Sequence, residues 1–209
     1  MVFFLEDAQQ LPLAAMLPLV PQGRRKKALA LRAPADRCSS LAAYLLLRFA
    51  LLTRCGVDAR PELAADARGK PCLPWPGLFV SLSHSAGAAL CALETSEIGA
   101  DVERCGRCRP SVLRRAFSPE EQRAVERAQE PGRVFTEIWT RKEAYGKALG
   151  LGVCYPMAQV ELSGAGSCGA WQLTSWTQGD YLLSACCRQA QELQCVSPQT
   201  LLRTLTEKE

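Results

Sequence analysis

Residues 98–103 constrain the fold more than any other stretch of this chain, because they predict a short strand entered through a glycine. Side chains alternate along a strand, so Asp101 and Glu103 leave one face while Ala100 and Val102 point into a core. Two neighbouring carboxylates repel each other unless a positive charge lies between them. Mg²⁺ prefers such oxygens and often shares them with phosphates, although two solvated acids at a strand end are the commoner arrangement.

The composition indicates a globular protein rather than a disordered chain. Hydrophobic residues make up 48% of the 209 residues, which is enough for a core. The 25 basic and 21 acidic residues leave a net charge of +4, which by itself does not point to nucleic acid. The length suits one large domain or two small ones.

The cysteines favour a reducing compartment. Their number, 11, is odd and the chain is not short, so a secreted disulfide scaffold is not expected. Cys105 and Cys108 form one CxxC pair, but no second pair follows and His84 is the only histidine, which argues against a structural zinc site.

The first twenty residues lack a basic leading segment and contain acids and prolines, which is not typical of a signal peptide. No apolar run in the sequence reaches the roughly 20 residues of a membrane span. We therefore expect a cytoplasmic protein with neither a membrane nor a nucleic-acid partner.

Hydrophobic periodicity predicts a mixture of strands and helices. Strands are expected over residues 2–5, 78–83, 88–93, 98–103, 159–162, 171–176 and 181–187, the second to fourth forming a meander. Helices are expected over residues 28–32, 41–52, 119–128 and 134–149, the third with a capping box from Ser118 to Glu121 and the last stopped by Gly150 and Gly152. This pattern predicts an α+β fold that divides into residues 1–97 and 98–209.

The helix over residues 134–149 carries a second group of charges. Glu143 and Lys147 are four residues apart and share a face, so an ordinary ion pair explains them. Lys142 lies one residue's rotation away. A carboxylate flanked by two lysines also suits a site that binds phosphate and a metal.

Taken in order, the stretches GADVE at residues 99–103 and WTRKEAYGK at residues 139–147 resemble the signature of the 4′-phosphopantetheinyl transferases. GKP at residues 69–71 and SLSHS at residues 81–85 resemble further motifs of that family, and the resemblance extends over about residues 24–155. Ala100, Ser81 and Ser39 depart from its usual residues. The length resembles the Sfp type, which implies two pseudo-symmetric α/β halves in one chain, each a small, mainly antiparallel sheet packed with helices.

The resemblance also implies a reaction. Such enzymes move the 4′-phosphopantetheine group of coenzyme A to a serine of an apo acyl or peptidyl carrier protein, and release 3′,5′-ADP. Mg²⁺, or alternatively Mn²⁺, would assist, and a single chain with both halves implies a monomer.

By position, the resemblance assigns Asp101, Glu103 and Glu143 to the metal. It makes Glu143 the group that deprotonates the serine, and places Lys142 and Lys147 on the pyrophosphate. It places Ser83 and His84 on coenzyme A phosphates. Lys70 and the cluster from Arg24 to Lys27 would face the 3′-phosphate or the adenine.

Three alternatives stay open at this point. One is a catalytically silent homologue that binds coenzyme A or a carrier. Another is a metal–thiolate protein that uses Cys105 and Cys108. The third is a different Mg²⁺-dependent enzyme that acts on a nucleotide or a pyrophosphate with the same carboxylates.

Overall fold

A computed structural model describes residues 1–151, 156–164 and 166–207. The strands of this part are β1 Val2–Leu5, β2 Ala64–Ala65, β3 Pro71–Cys72, β4 Phe79–Ser85, β5 Ala88–Glu94, β6 Gly99–Arg104, β7 Ser167–Cys168, β8 Trp171–Gln178, β9 Tyr181–Cys187 and β10 Leu193–Cys195. The helices are α1 Leu13–Met16, α2 Gln22–Leu29, α3 Pro34–Cys55, α4 Pro110–Ala116, α5 Pro119–Arg127, α6 Pro131–Ala148 and α7 Pro198–Thr206.

Most of the strands form two four-stranded sheets. The first has the order β10-β1-β5-β4 and is antiparallel except for the parallel pair of β1 and β10. The second has the order β6-β9-β8-β7 and is antiparallel throughout. The expected α+β fold with mainly antiparallel sheets is confirmed.

Successive side chains of a strand point to opposite faces of its sheet, so each sheet can pack on the other sheet with one face and on a long helix with the other. On β1, Phe3 packs toward α3 in one buried cluster, while Phe4 packs toward the second sheet in another. On β9, Leu183 faces the first sheet and Cys186 joins the cluster under α6. The result is four layers, in the order α3, first sheet, second sheet, α6. Strands buried on both faces read as continuous apolar runs, as β5 does.

The predicted three-strand meander is wrong in its last step. Strands β4 and β5 form the expected hairpin, but β6 leaves the first sheet and pairs with β9. A short turn signal does not say whether the next strand joins the same sheet. Strand β6 still lies beside β4, because the Ser81 hydroxyl accepts the Ala100 N–H at 2.9 Å and donates to the Ala100 carbonyl at 3.4 Å.

Helix α3 is longer than the sequence predicted. It begins at Pro34, which suits a first helical turn, and ends where Gly56 adopts a positive φ of 68°. By length and composition alone this helix could cross a membrane, contrary to the expectation that no such segment exists. However, 72% of its most apolar 18-residue window is buried inside the protein.

The remaining helix predictions succeed in part. Helix α5 has the capping box of Ser118 and Glu121, as predicted. Helix α2 covers the basic cluster, earlier than the predicted residues 28–32, and α6 begins three residues before residue 134. The strand predicted over residues 159–162 is wrong, because Met157–Gln159 forms a 3₁₀ turn. Gly152, the second predicted stop of α6, lies outside the described residues.

Strand β10 and helix α7 were not predicted, and both return to the first half. Strand β10 pairs with β1, while Leu201 and Leu205 of α7 are buried in the cluster around α3. The last two elements of residues 98–209 thus pack against residues 1–97, and the division of the chain between residues 97 and 98 stays a proposal.

Candidate active site

The site lies where β6 meets α6, and Gly99 allows the two elements to approach. A Cβ on Gly99 would lie 2.9 Å from the Lys147 carbonyl carbon, and closer still to the Ala144 oxygen and the Ala148 nitrogen. Those atoms are backbone, so they cannot swing aside as a side chain would. The glycine at the entrance of the strand thus brings the carboxylates of β6 up to the charged face of α6.

Asp101 is the most buried of the three predicted carboxylates, with 5% of its surface exposed. Its Oδ1 accepts hydrogen bonds from Lys147 Nζ at 2.6 Å and from Ser83 Oγ at 2.7 Å. Its Oδ2 is buried and has no hydrogen-bond partner among the described residues. One oxygen is therefore committed to the protein, and the other is available to a ligand.

Glu103 leaves the same face of β6, two residues along the strand. Its Oε2 accepts a hydrogen bond from Ser85 Oγ at 2.6 Å. Burial raises the pKa of the Glu103 carboxyl, the Ser85 hydrogen bond opposes that rise, and the charge of Asp101 adds to it. Serines at alternate positions of β4 thus hold alternate acids of β6.

Glu143 brings the third carboxylate from α6. Burial raises the pKa of this carboxyl most, and the charge of Asp101 raises it further. The charge of Lys147 opposes this rise and the charge of Glu103 adds to it, so both acids of β6 interact electrostatically with Glu143. The Oε1 atom of Glu143 is buried without a hydrogen-bond partner in the part of the chain that the structure describes.

Lys147 links the two halves of the site. Its Nζ donates to Asp101, to Ser83 Oγ at 3.1 Å and to the Ala100 carbonyl at 3.1 Å. The i,i+4 pair with Glu143, which sequence spacing favoured, gives way to this pairing across the elements. Asp101 is more deeply buried than Glu143, and charge pairs are stronger where water is scarce.

Lys142 does not lie in the site, which corrects the prediction that it contacts coenzyme A. It is 0% exposed and pairs with Glu121 at 2.8 Å. Its Nζ also donates to the carbonyls of Met157 at 2.7 Å and Val160 at 2.6 Å. Consecutive helical residues are rotated by about 100°, so Lys142 turns away from the face that Glu143 occupies.

His84 lies at the end of β4 and contacts the first half. Its Nδ1 is 3.4 Å from Ser39 Oγ, and Ser39 also donates to the Ala35 carbonyl. Burial lowers the pKa of the His84 imidazole most, and the charge of Arg24 lowers it further. Ser83 and His84 therefore face different partners, the serine toward Asp101 and the histidine toward α3.

Arg24 and Lys27 line a cavity of about 120 Å³ beside Tyr44 and Gly69. The Arg24 guanidinium donates to the carbonyl and the hydroxyl of Ser40, but its Nε is buried without a partner among the described residues. Burial lowers the pKa of this guanidinium. An unsatisfied buried cation of this kind favours an anionic ligand.

A groove adjoins that cavity and reaches Lys147, the residue that pairs with Asp101. Lys70, Arg68 and Lys147 line it together with Gly69, which also lines the cavity of Arg24. Lys70 pairs with Glu97 at 2.6 Å and reaches the Ala148 carbonyl at 3.3 Å. Sequence reasoning did not assign Arg68 to the groove, although this exposed residue directly precedes the GKP turn.

The ligand atoms that these residues offer determine which metal ion they could bind. Within residues 1–151, 156–164 and 166–207, no three His, Cys, Asp or Glu side chains are already arranged as a metal site. The ten cysteines in those ranges, including Cys105 and Cys108, are free thiols. Asp101 Oδ2 and Glu143 Oε1, which have no hydrogen-bond partner in the described part of the chain, are nevertheless hard donors, which suit Mg²⁺ rather than a soft metal.

Carboxylates and lysines beside a basic groove are typical of the class of proteins that bind phosphorylated ligands. Comparison with known families agrees with that class. Residues 97–195 match the family model of the 4′-phosphopantetheinyl transferase superfamily.

Individual relatives carry the same description. The chain is 28% identical over 147 residues to a 4′-phosphopantetheinyl transferase of Bacillus subtilis, an alignment that covers 68% of this chain and 65% of the relative. It is 36% identical over 110 residues to the 4′-phosphopantetheinyl transferase HetI of Nostoc sp., with 47% and 45% covered. It is 27% identical over 161 residues to the L-aminoadipate-semialdehyde dehydrogenase-phosphopantetheinyl transferase of Saccharomyces cerevisiae, with 70% and 58% covered. The chain thus spans less than two thirds of the length of these relatives.

Proposed function

We propose that this protein transfers the 4′-phosphopantetheine group of coenzyme A to a serine hydroxyl of an apo acyl or peptidyl carrier protein and releases 3′,5′-ADP. The observation that carries the proposal is the 2.6 Å ion pair of Lys147 with Asp101 beside the groove that Lys147, Lys70 and Arg68 line. Transfer at a pyrophosphate depends mainly on positioning and on charge, which this arrangement supplies.

The groove has the order of charges that coenzyme A requires. Arg24 and Lys27, at the far end, suit the 3′-phosphate and the adenine. Lys70 and Arg68 follow, and Lys147 reaches the carboxylates, where the pyrophosphate would lie. Lys70 would exchange its ion pair with Glu97 for the ligand.

Ser83 and His84 complete the assignment on the β4 side. The Ser83 hydroxyl already touches both Asp101 and Lys147, so it would lie beside the pyrophosphate. His84 lies closer to Ser39 and Arg24, at the entrance to the first half, and suits a more distant phosphate.

Asp101, Glu103 and Glu143 would hold Mg²⁺, with Mn²⁺ as the alternative. The support is that one carboxylate oxygen each of Asp101 and Glu143 is buried without a partner among the described residues, and that the charges of Asp101 and Glu103 raise the pKa of Glu143, a repulsion that a cation relieves. When bound, the ion would neutralise charge on the pyrophosphate oxygens.

Two side chains have roles of their own. Glu143 would take the proton of the incoming serine, and its raised pKa makes it a better proton acceptor than an ordinary glutamate. Lys147 would stabilise the negative charge that develops on the departing 3′,5′-ADP. The Ser83 hydrogen bond keeps the Asp101 carboxylate and the Lys147 ammonium in register during that step.

We further propose the Sfp type, with both halves in one monomeric chain, and a cytoplasmic location. Several basic residues near the site are exposed, among them Arg104, Arg107 and Arg109. They would attract acidic carrier proteins over long range, so the transfer rate should fall as ionic strength rises.

Intact-mass measurement tests the proposal directly. A panel of apo-carriers is incubated with the protein, coenzyme A and Mg²⁺, and the released nucleotide is identified. The expected result is a carrier heavier by one phosphopantetheine group, together with 3′,5′-ADP. Coenzyme A binding without any mass shift would favour the silent homologue, and a different nucleotide product would favour another Mg²⁺-dependent enzyme.

A pair of variants on one helix sharpens the test. Glu143→Gln removes the proposed base, whereas Glu137→Gln changes a glutamate of α6 that pairs with Arg141 at 2.6 Å. Only the first should abolish the mass shift.

A further inference from the structure

The buried charge pair of Lys142 and Glu121 has no part in the proposed chemistry, yet it joins three segments of the chain. Lys142 belongs to α6 and Glu121 to the first turn of α5, and both side chains are 0% exposed. The carbonyls that Lys142 also reaches belong to Met157 and Val160, in the segment after α6. An ion pair this deep is costly unless its remaining hydrogen bonds are satisfied.

Glu121 satisfies its own oxygens in the same place. Its Oε2 accepts the Ser118 N–H at 2.8 Å, which closes the capping box of α5, and its Oε1 accepts the Leu162 N–H at 2.8 Å. The ammonium and the carboxylate together hold both ends of residues 157–162. The segment is therefore fixed by charged hydrogen bonds at three of its backbone groups.

That segment forms one wall of a second cavity. Met157, Ala158 and Gln159 line it opposite Trp139 and Arg115, with a volume of about 380 Å³. Trp139 also lines the cavity that contains Glu103. Trp139 thus lies between this wall and the cavity of Glu103, and the wall lines a different cavity from the one that Lys147 and Lys70 line.

The groove along Lys147 and Lys70 and the cavity of Arg24 are proposed for coenzyme A, so the two cavities that Trp139 lines are left for the acceptor. We propose that Lys142 and Glu121 are positioning residues that set the wall at residues 157–162, against which the serine-bearing segment of the acceptor docks. This inference rests on the proposed function. It assigns the buried lysine to the acceptor side, although the residue never touches a substrate.

The tests are Lys142→Met and the double variant Lys142→Met/Glu121→Gln. Methionine keeps the apolar stem but leaves Glu121 buried and unpaired, so the single variant loses more stability than the double variant. Both lose the contacts to the Met157 and Val160 carbonyls. We expect KM for the apo-carrier to rise about tenfold or more in both, because a misplacement of about 1 Å is enough for such losses. The dissociation constant for coenzyme A should change less than about twofold, a margin below 1 kcal/mol that leaves the groove intact.

A matched control separates position from stability. Leu201→Ala removes a buried side chain of α7 in the other core, so it should lower the melting temperature while leaving both constants unchanged. Hydrogen exchange at the Leu162 amide gives a readout independent of activity. That amide should be protected in the native protein and should exchange faster in Lys142→Met.

Two results would overturn the inference. A loss of coenzyme A affinity as large as the loss for the carrier would make Lys142 a ligand contact. Unchanged kinetic constants in the double variant, despite a lower melting temperature, would leave the pair a purely structural one. If the native protein modifies no carrier at all, the proposed function fails, but the exchange at Leu162 still reports whether the pair holds this wall.

Discussion

Replacing Gly99 with alanine should separate β6 from α6 and disable the site without touching a charged residue. The added Cβ would lie 2.9 Å from the Lys147 carbonyl carbon and nearer still to two other backbone atoms of α6. Carbon atoms need about 3.5–4.0 Å, so the strand and the helix must move apart by roughly 1 Å or more. The Lys147–Asp101 hydrogen bond of 2.6 Å cannot survive such a shift in its present form.

The magnitude follows from that displacement. Overpacking of this kind costs about 1–3 kcal/mol, which corresponds to about 2–4 °C in melting temperature for each kcal/mol in a chain of this size. Misplacing the groups by about 1 Å should lower the transfer rate about 100-fold. Activity should therefore fall by much more than the loss of folded protein at the assay temperature explains.

Thermal unfolding and the carrier mass-shift rate measure the two effects together. Gly164→Ala is the matched control, because a Cβ there meets nothing within 4 Å. A Gly99→Ala protein with native melting temperature and native rate would refute the claim that close approach of β6 and α6 builds the site.

Three further predictions concern individual groups. Glu143→Gln should lower transfer about 10²–10⁴-fold because the proposed base is lost, and Glu137→Gln is the control. Because burial raises the pKa of Glu143, the metal-free variant should also gain stability relative to the native protein as pH rises above 4.5. Denaturant unfolding measures this gain, and two parallel curves of stability against pH would contradict it. Nuclear magnetic resonance should find the His84 pKa below its ordinary value of 6.5 and rising when coenzyme A binds, because burial and Arg24 lower it in the free protein; a shift in the other direction would remove the histidine from the phosphate contacts. Ser118→Ala should cost about 1 kcal/mol of unfolding free energy, as loss of an N-cap does, and Ser197→Ala at α7 should behave alike but leave residues 157–162 protected from exchange.

Local signals in the sequence predicted the central strand and the start of α5 well. The alternation of residues 98–103 placed Ala100 and Val102 in the core, where they are 0% and 1% exposed. Ser118 and Glu121 marked the start of α5 by chemistry that needs no tertiary context. These features depend on interactions within a few residues, which a single sequence displays.

Long-range pairing escaped prediction for a physical reason. Strand β6 was expected beside β5, but its ladder partner is β9, some eighty residues away. Strand β10 has only three residues and no strong periodicity, so its pairing with β1 depends on the rest of the fold. Turn signals and propensity carry no information about such choices.

The residues of the candidate site were likewise predicted only in part. Spacing and resemblance predicted a site with three carboxylates and Lys147. The structure pairs Lys147 with Asp101 at 2.6 Å, and the metal-binding role of the three acids stays a prediction. Lys142 was misplaced, because its partner Glu121 lies on a different helix that the motif does not include. Arg68 was missed, since an exposed arginine in a loop carries no signal until the groove is formed.

The parallel pairing of Val2–Leu5 with Leu193–Cys195 has a consequence for how this protein is made. Val2–Leu5 leaves the ribosome long before its outer neighbour, Leu193–Cys195, has been synthesised. Until then, the edge of that strand is open to pairing with other chains, and the core around the long central helix lacks its final cover. The yield of folded protein in rapid expression should therefore depend on what covers the open edge of Val2–Leu5 during translation.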